Sequence, residues 1–285
     1  MRLKSPLSLD EITANIGSML LNNRDRYIDR NAFAQRQGDA YHHWTWQQMV
    51  GDVLNVAAFV LPAGELQEDT PDKRVAFISA NCYHRLVAEM AVMGTGMVAV
   101  PVFAGYASDL MSDLVGFANV GCLVSDNLEK IASLRADCLP GRILAMTGSA
   151  RTADPKVLEK LSGLGVSSVT FMDDLFAADT DQDTDKLESR MRAIKPDSLA
   201  LIMFTSGTSS FPKGVQLTHR NLMSQQKALE ILWKPEHGMR FLCYLPWHHS
   251  FGGLFERFFA LHSGGCLAID DSAGKDVGRL LQNFS

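Results

Sequence analysis

No two cysteines in this sequence stand in a CxxC pair. The five, Cys82, Cys122, Cys138, Cys243 and Cys266, are odd in number and far apart. Neither a structural zinc site nor a redox dithiol follows from such spacing. They read instead as small buried thiols in a reducing compartment. An excess of positive charge is missing too: 27 Lys and Arg stand against 32 Asp and Glu, a net charge of -5. That balance gives no electrostatic reason to seek nucleic acid or an anionic membrane. Long apolar runs are also absent. The most apolar stretch, Leu86 to Phe103, is interrupted by Glu89, Gly94, Gly96 and Pro101, so a transmembrane segment is not expected. The opening MRLKSPLSLDEITANIG lacks the uninterrupted apolar core of an export signal, and a cytoplasmic chain is the expectation.

What is present is ordinary globular composition. Of 285 residues, 46% are hydrophobic and 21% charged, enough for one large domain or two modest ones. Tyr41 to Trp46 reads as extended, and Thr45 caps a predicted helix over 46–61 that Pro62 ends. A strand is predicted at 75–79, then a helix over 82–93 capped by Asn81. Gly94 and Gly96 stop that helix, and a second β-rich run follows at 97–102. The pattern continues with a helix at 107–119, a strand at 122–125, a helix at 127–138, and strands at 142–146 and 166–171. This alternation argues for an α/β fold of mostly parallel sheets flanked by helices.

From Asp173 to Glu188 seven acidic residues face only Lys186. The preferred reading is a solvated surface connection; a metal loop is disfavoured because the glycine and glutamate spacing of a calcium loop is missing. The expected division is a first α/β subdomain over 1–172, an acidic connection over 173–197, and the start of a second subdomain over 198–285.

The chemistry concentrates in SLALIMFTSGTSSFPKGVQLTHRNL, residues 198–222. A buried-looking strand, 199–204, runs into Thr205, Ser206, Gly207, Thr208, Ser209 and Ser210. Phe211, Pro212, Lys213 and Gly214 follow, then a returning strand at 215–217, with Thr218 placed to cap a helix. Backbone amides in a glycine-containing turn and short hydroxyl side chains are donors that phosphates can approach closely. Lys213 supplies a mobile charge for a polyphosphate, and a hydroxyl, here Thr208, suits the Mg²⁺ that travels with ATP. The bland alternative is an exposed Ser/Thr turn, but few such turns join two apolar strands and end in Pro-Lys-Gly. The ordinary P-loop is excluded, because Pro212 precedes the lysine and Gly214 follows it.

The run FTSGTSSFPKGV closely resembles the signature loop of the adenylate-forming superfamily, which includes acyl-CoA synthetases, peptide-synthetase adenylation domains and luciferases. Phe204 stands at the aromatic position. Ser209 keeps a hydroxyl where the family has Thr, and Ser210 replaces a Gly. YHHWTWQQM and DKRVAFISANCYHRLVAEMAVMGTGMVAVPV are similar to earlier segments of that family. Gly94-Thr95-Gly96 lies between a helix and a strand, the wrong context for a dinucleotide fingerprint. LPWHHSFGG, residues 245–253, resembles the family's next motif. By that comparison Trp247, His249, Phe251 and Gly252 belong to an acyl and adenylate pocket. Taken alone, the same cluster more often means core packing, and a His248/His249 metal site is weaker still.

The resemblance implies the N-terminal domain of such an enzyme, incomplete, with ATP, Mg²⁺, coenzyme A and a fatty-acyl or aryl carboxylic acid as its small molecules. It implies that Thr205, Ser206, Thr208 and Lys213 hold the β- and γ-phosphates. The family's later adenine segment, ribose-binding Asp and C-terminal catalytic Lys are not found after Gly265. The expectation is therefore an inactive fragment that releases no pyrophosphate by itself. A non-catalytic nucleotide-binding or scaffold role is the alternative, and an unrelated phosphotransferase is disfavoured by the missing Gly-Lys-Ser/Thr.

Overall fold

The computed structural model describes residues 12–62, 70–148, 152–177, 184–205, 212–236 and 238–270. The chain opens with helix α1 (Ile16–Tyr27), capped by Asn15, then the antiparallel pair β1 (Asn31–Gln37) and β2 (Ala40–Thr45). Helix α2 (Trp46–Val60) starts where expected. Thr45 accepts from the Gln48 amide, and the Gln48 side chain accepts from the Thr45 amide. This reciprocal box satisfies two donors that the first turn would otherwise leave open.

Strand β3 (Arg74–Ile78), helix α3 (Tyr83–Gly94) and strand β4 (Val98–Val102) form the first crossover unit. The cap of α3 is Cys82, whose Sγ accepts from the Arg85 amide, and not Asn81 as expected. Next come α4 (Ser108–Ala118), β5 (Cys122–Ser125) and α5 (Leu128–Ile131). The single helix expected over 127–138 is broken. After Ile131 the chain turns, and Ser133 Oγ donates to the Lys130 carbonyl; only a 3₁₀ turn, Ala136–Cys138, follows. A serine that bonds a nearby carbonyl competes with the helix ladder.

Strand β6 (Arg142–Ala145), helix α6 (Pro155–Gly163) and strand β7 (Ser168–Phe171) follow, then α7 (Met172–Ala177) and α8 (Thr184–Ala193). These last two place helices in the stretch read as a solvated connection, most of whose described residues are exposed. Asp173 accepts from the Gly148 amide and pairs with His84, and Glu188 pairs with Arg24 of α1. Acidic composition concealed residues with fixed partners. Strands β8 (Leu199–Thr205) and β9 (Lys213–Thr218) then make the expected hairpin. Thr218 caps α9 (His219–Trp233) in a second capping box, with Asn221. Strand β10 (Arg240–Cys243), a π-helical turn (Phe251–Glu256), helix α10 (Arg257–His262) and strand β11 (Cys266–Ile269) complete the described chain.

Among the described residues seven strands form one sheet in the order β7-β6-β5-β3-β4-β8-β9, all parallel except β9; four form a second in the order β10-β11-β1-β2. Each sheet draws strands from both sides of the acidic stretch. The boundary expected at 173–197 therefore does not fall between the two sheets. Along β3, Val75 and Phe77 enter one apolar core with α2 and α3, while Ala76 and Ile78 enter another with α4. Burial on both faces is what helical crossovers impose on a parallel sheet. The glycines of α1 and α3 serve close packing. A Cβ on Gly17 would stand 2.6 Å from the Gly94 carbonyl oxygen. All five cysteines are free thiols, and four are buried, as their scatter suggested.

Candidate functional site

Strands β4, β3, β5, β6 and β7 run in the spatial order 2-1-3-4-5 of a doubly wound sheet. The chain reverses its winding direction between β3 and β5. Ligands of such sheets bind at that reversal, beyond the carboxyl ends of the strands. A cavity of about 410 Å³ lies there. Ser79, Ala80 and Asn81 enter it from the end of β3, Phe103 from β4, and Asp126 and Asn127 from β5; Cys243 and Asp270 come from the second sheet. A larger groove, about 1010 Å³, includes Arg74, Val98 and Leu199, which open their strands, and runs along the β8–β9 hairpin. Its position at the amino ends of the strands is the less suitable one for a ligand of this fold.

Of the expected phosphate loop, Thr205 and Lys213 are described; Ser206, Gly207, Thr208, Ser209 and Ser210 lie outside the described residues. Thr205 and Lys213 are paired across the hairpin, and Thr205 Oγ1 donates to the Lys213 carbonyl at 3.4 Å. Both residues are exposed. Ala99 of β4 is level with Leu201 of β8. Four residues further along each parallel strand come Phe103 and Thr205. Thr205 and Lys213 thus stand at the end of the sheet where the cavity lies, on the strand beside the one that leads to Phe103.

The LPWHHSFGG segment is held against this end of the sheet by Asn81. Asn81 Nδ2 donates to the Leu245 carbonyl at 2.9 Å, and Asn81 Oδ1 accepts from the Trp247 amide at 3.1 Å. Within the segment the Gly253 amide donates to the His249 carbonyl at 2.8 Å. A Cβ on Gly252 would meet the Leu245 oxygen at 2.6 Å, and one on Gly253 the Trp247 oxygen at 2.2 Å. Only glycine permits that approach.

The four residues expected at an acyl pocket are placed differently from one another. Trp247 is fully buried and belongs to the core, not to the cavity wall. The guanidiniums of Arg85 and Arg257 lie 5.9 and 5.3 Å from its ring centre. Gly252 is buried in the π-helical turn. His249 and Phe251 are exposed, and His249 Nδ1 accepts from the Phe251 amide at 3.3 Å. The histidine at the cavity is His248, whose ring stacks on Phe103 with centres 4.4 Å apart. Burial, with Arg85 and His249 nearby, pushes the His248 pKa down to about 4, so the ring is neutral at pH 7.

Beneath the cavity sits an ion cluster that the sequence reading missed. Arg85 Nε donates to Glu89 Oε1 at 2.8 Å, Arg257 Nη1 donates to Glu89 Oε2, and Arg85 Nη1 donates to the Ser79 carbonyl at 2.7 Å. All three side chains are buried. Desolvation lowers the Arg85 pKa to about 10 and that of Arg257 well below its usual range. Glu89 and Arg85 stand four residues apart on a helix, a signal present in the sequence, but the partner on α10 is 168 residues away. Among the described residues no cluster of three or more His, Cys, Asp or Glu could hold a metal, and no helix is long and apolar enough to cross a membrane.

Residues 21–285 match the family model of AMP-binding enzymes. A chloroplastic long-chain-fatty-acid–acyl-carrier-protein ligase of Arabidopsis thaliana is 26% identical over 237 residues, covering 82% of this chain and 32% of the relative. Long-chain-fatty-acid–CoA ligase 1 of Cavia porcellus is 24% identical over 239 residues, covering 80% of this chain and 32% of the relative. This chain thus spans about a third of the length of those curated relatives. Among solved structures, the fatty acyl-adenylate ligase of L. pneumophila, bound to acyl adenylate and pyrophosphate, superposes with a TM-score of 0.68 at 14% identity. That match covers 95% of this chain and 42% of the other. The likeness establishes the fold: α/β, with mostly parallel sheets flanked by helices, as in the N-terminal domains of such ligases.

Proposed function

This chain belongs to the AMP-binding enzyme family, and from that premise we propose that it carries the phosphate-gripping part of an ATP-dependent carboxylic acid ligase. One observation carries the reading. Thr205 and Lys213, which flank the hydroxyl-rich segment, pair with each other at the carboxyl end of β8, the strand next to β4. There the Lys213 ammonium and the hydroxyls of Thr205, Ser206 and Thr208 would neutralise and orient the β- and γ-phosphates. Mg²⁺ would arrive with ATP. Phosphate oxygens and the Thr208 hydroxyl are hard oxygen donors of the kind it prefers.

The first half-reaction joins a carboxylate oxygen to the α-phosphorus and breaks the bond to pyrophosphate. In the second, a thiolate sulfur attacks the acyl carbon and AMP departs. No covalent enzyme nucleophile is needed. We take coenzyme A as the acceptor and a fatty acid as the acid, because the named relatives include long-chain-fatty-acid ligases. The cavity that Phe103 and His248 line is the proposed place for that acid, with His249 and Phe251 available to it from the neighbouring turn. Isothermal titration of the chain with MgATP tests the reading. Saturable 1:1 binding that free pyrophosphate competes away is expected; no heat of binding would overturn it.

A further inference from the structure

One face of the second sheet enters the core through Phe33, Cys243, Leu267 and Ile269. Side chains alternate along a strand, so their neighbours face the other way. On that outer face the register sets Leu242, Ala268, Ala34 and His43 side by side across all four strands. They line a groove of about 750 Å³, a size usual for small-molecule sites. The two alanines between Leu242 and His43 leave its floor as a trough. Arg30 and Arg240 stand at the β10 side of this trough. Arg240 is level with Cys266, two residues before Ala268. Arg30 precedes β1, yet its guanidinium reaches toward the start of β10: a Cβ on Gly238 would lie 3.5 Å from its Nη1. Both arginines are exposed, and neither meets a carboxylate among the described residues. Arg30 lies over the Tyr27 ring at 5.4 Å, a contact that leaves its donors open. Asp29 is the one acid lining the groove, and it pairs with neither arginine. The rim therefore carries two guanidiniums against one carboxylate.

We propose that this groove binds a soluble amphiphilic anion, with its oxyanion head between Arg30 and Arg240 and its apolar body along the row from Leu242 to His43. Guanidiniums offer paired donors that match a phosphate or carboxylate. The row spans three strand spacings, about 14 Å, which suits a medium-length apolar chain. A bare inorganic anion would leave the apolar floor uncovered and gain nothing from it. An anionic membrane surface is a poor match, because the chain as a whole carries a net charge of -5. The groove shares no lining residue with the cavity proposed for the acid, so this second site stands apart from the ligase reading.

The test is isothermal titration of the full chain with decyl phosphate below its micelle concentration, with and without excess MgATP. Saturable binding that MgATP leaves unchanged is expected. Inorganic phosphate lacks the body and decanol lacks the head, and each should bind at least about tenfold more weakly. Arg30→Gln and Arg240→Gln should each weaken decyl phosphate about tenfold, since each removes a charged donor. Both side chains are exposed, so both variants should fold. Ala268→Phe fills the trough and should weaken binding without touching the head. No saturable binding, equal affinity for inorganic phosphate, or unchanged affinity in either arginine variant would overturn the inference. Displacement by MgATP would put the probe at the hairpin loop and overturn it too. Vesicles of phosphatidylglycerol should leave the chain in the supernatant. Co-sedimentation that Arg240→Gln abolishes would assign the groove to a lipid surface instead. A dimer that Arg240→Gln dissociates would assign it to a second copy of the chain, and either result would sink the proposal.

Discussion

Asn81 grips the backbone around Trp247 from both sides, accepting from its amide and donating to the carbonyl of Leu245, across 166 positions of sequence. This single amide side chain ties the end of β3 to the turn that carries His248 and His249. Asn81→Ala would strip partners from two backbone groups at once. We expect a loss of about 2 kcal/mol in urea denaturation, since each unsatisfied buried group costs about 1–3 kcal/mol. Asn81→Asp keeps the acceptor and loses the donor, and should fall between the two. An alanine variant as stable as the parent would show that the clamp is incidental.

Glu89 holds two buried guanidiniums together. Glu89→Gln removes the charge that balances Arg85 and Arg257, and we expect destabilisation of about 3–5 kcal/mol. Adding Arg257→Met to that variant should recover part of the loss, because one uncompensated charge leaves the core. Strict additivity of the two changes in a double-mutant cycle would contradict the cluster.

Gly253 is pinned by the oxygen of Trp247. Gly253→Ala forces a Cβ into a 2.2 Å contact with backbone, and we expect a loss of at least about 2 kcal/mol. A thermal melt of the variant within a degree of the parent would refute that packing.

His219 is fully buried, and burial, helped by Lys73, holds its pKa at about 4. Its Nδ1 accepts from the Ile16 amide at 3.3 Å. The unfolded value is about 6.5. Between those values the unfolded chain takes up a proton that the folded chain refuses, so stability falls as the pH drops from 6.5 toward 4. Full expression of the effect is about 3 kcal/mol. Denaturation at pH 7 and pH 4.5 should show a shallower loss in His219→Gln than in the parent; parallel losses would rule His219 out as the cause.

The strand and helix pattern was legible because short continuous apolar runs, Thr45 and Thr218 caps, and glycine stops are local signals. Asn81 misled for a local reason. Asparagine is a strong helix cap, and nothing nearby announced that Cys82 would cap α3 and free Asn81 for Leu245 and Trp247. The same limit applies to β1, whose parallel partner β11 lies more than 230 residues along the chain. Long-range pairing of that kind leaves no periodic mark. Of the candidate site, the pairing of Thr205 with Lys213 follows from one motif that holds both. Motif resemblance singled out His249, and it carries no information on which of the two adjacent rings meets Phe103.

The central claim is that the loop between Thr205 and Lys213 holds a triphosphate. A thermal shift titration with MgATP, run on the parent, Lys213→Ala and Lys213→Arg, tests it most directly. At MgATP about a hundredfold above its dissociation constant, the parent should gain about 2.7 kcal/mol. Most of that gain should vanish in Lys213→Ala and part should return in Lys213→Arg. Equal stabilisation of all three proteins, or of none, would contradict the account.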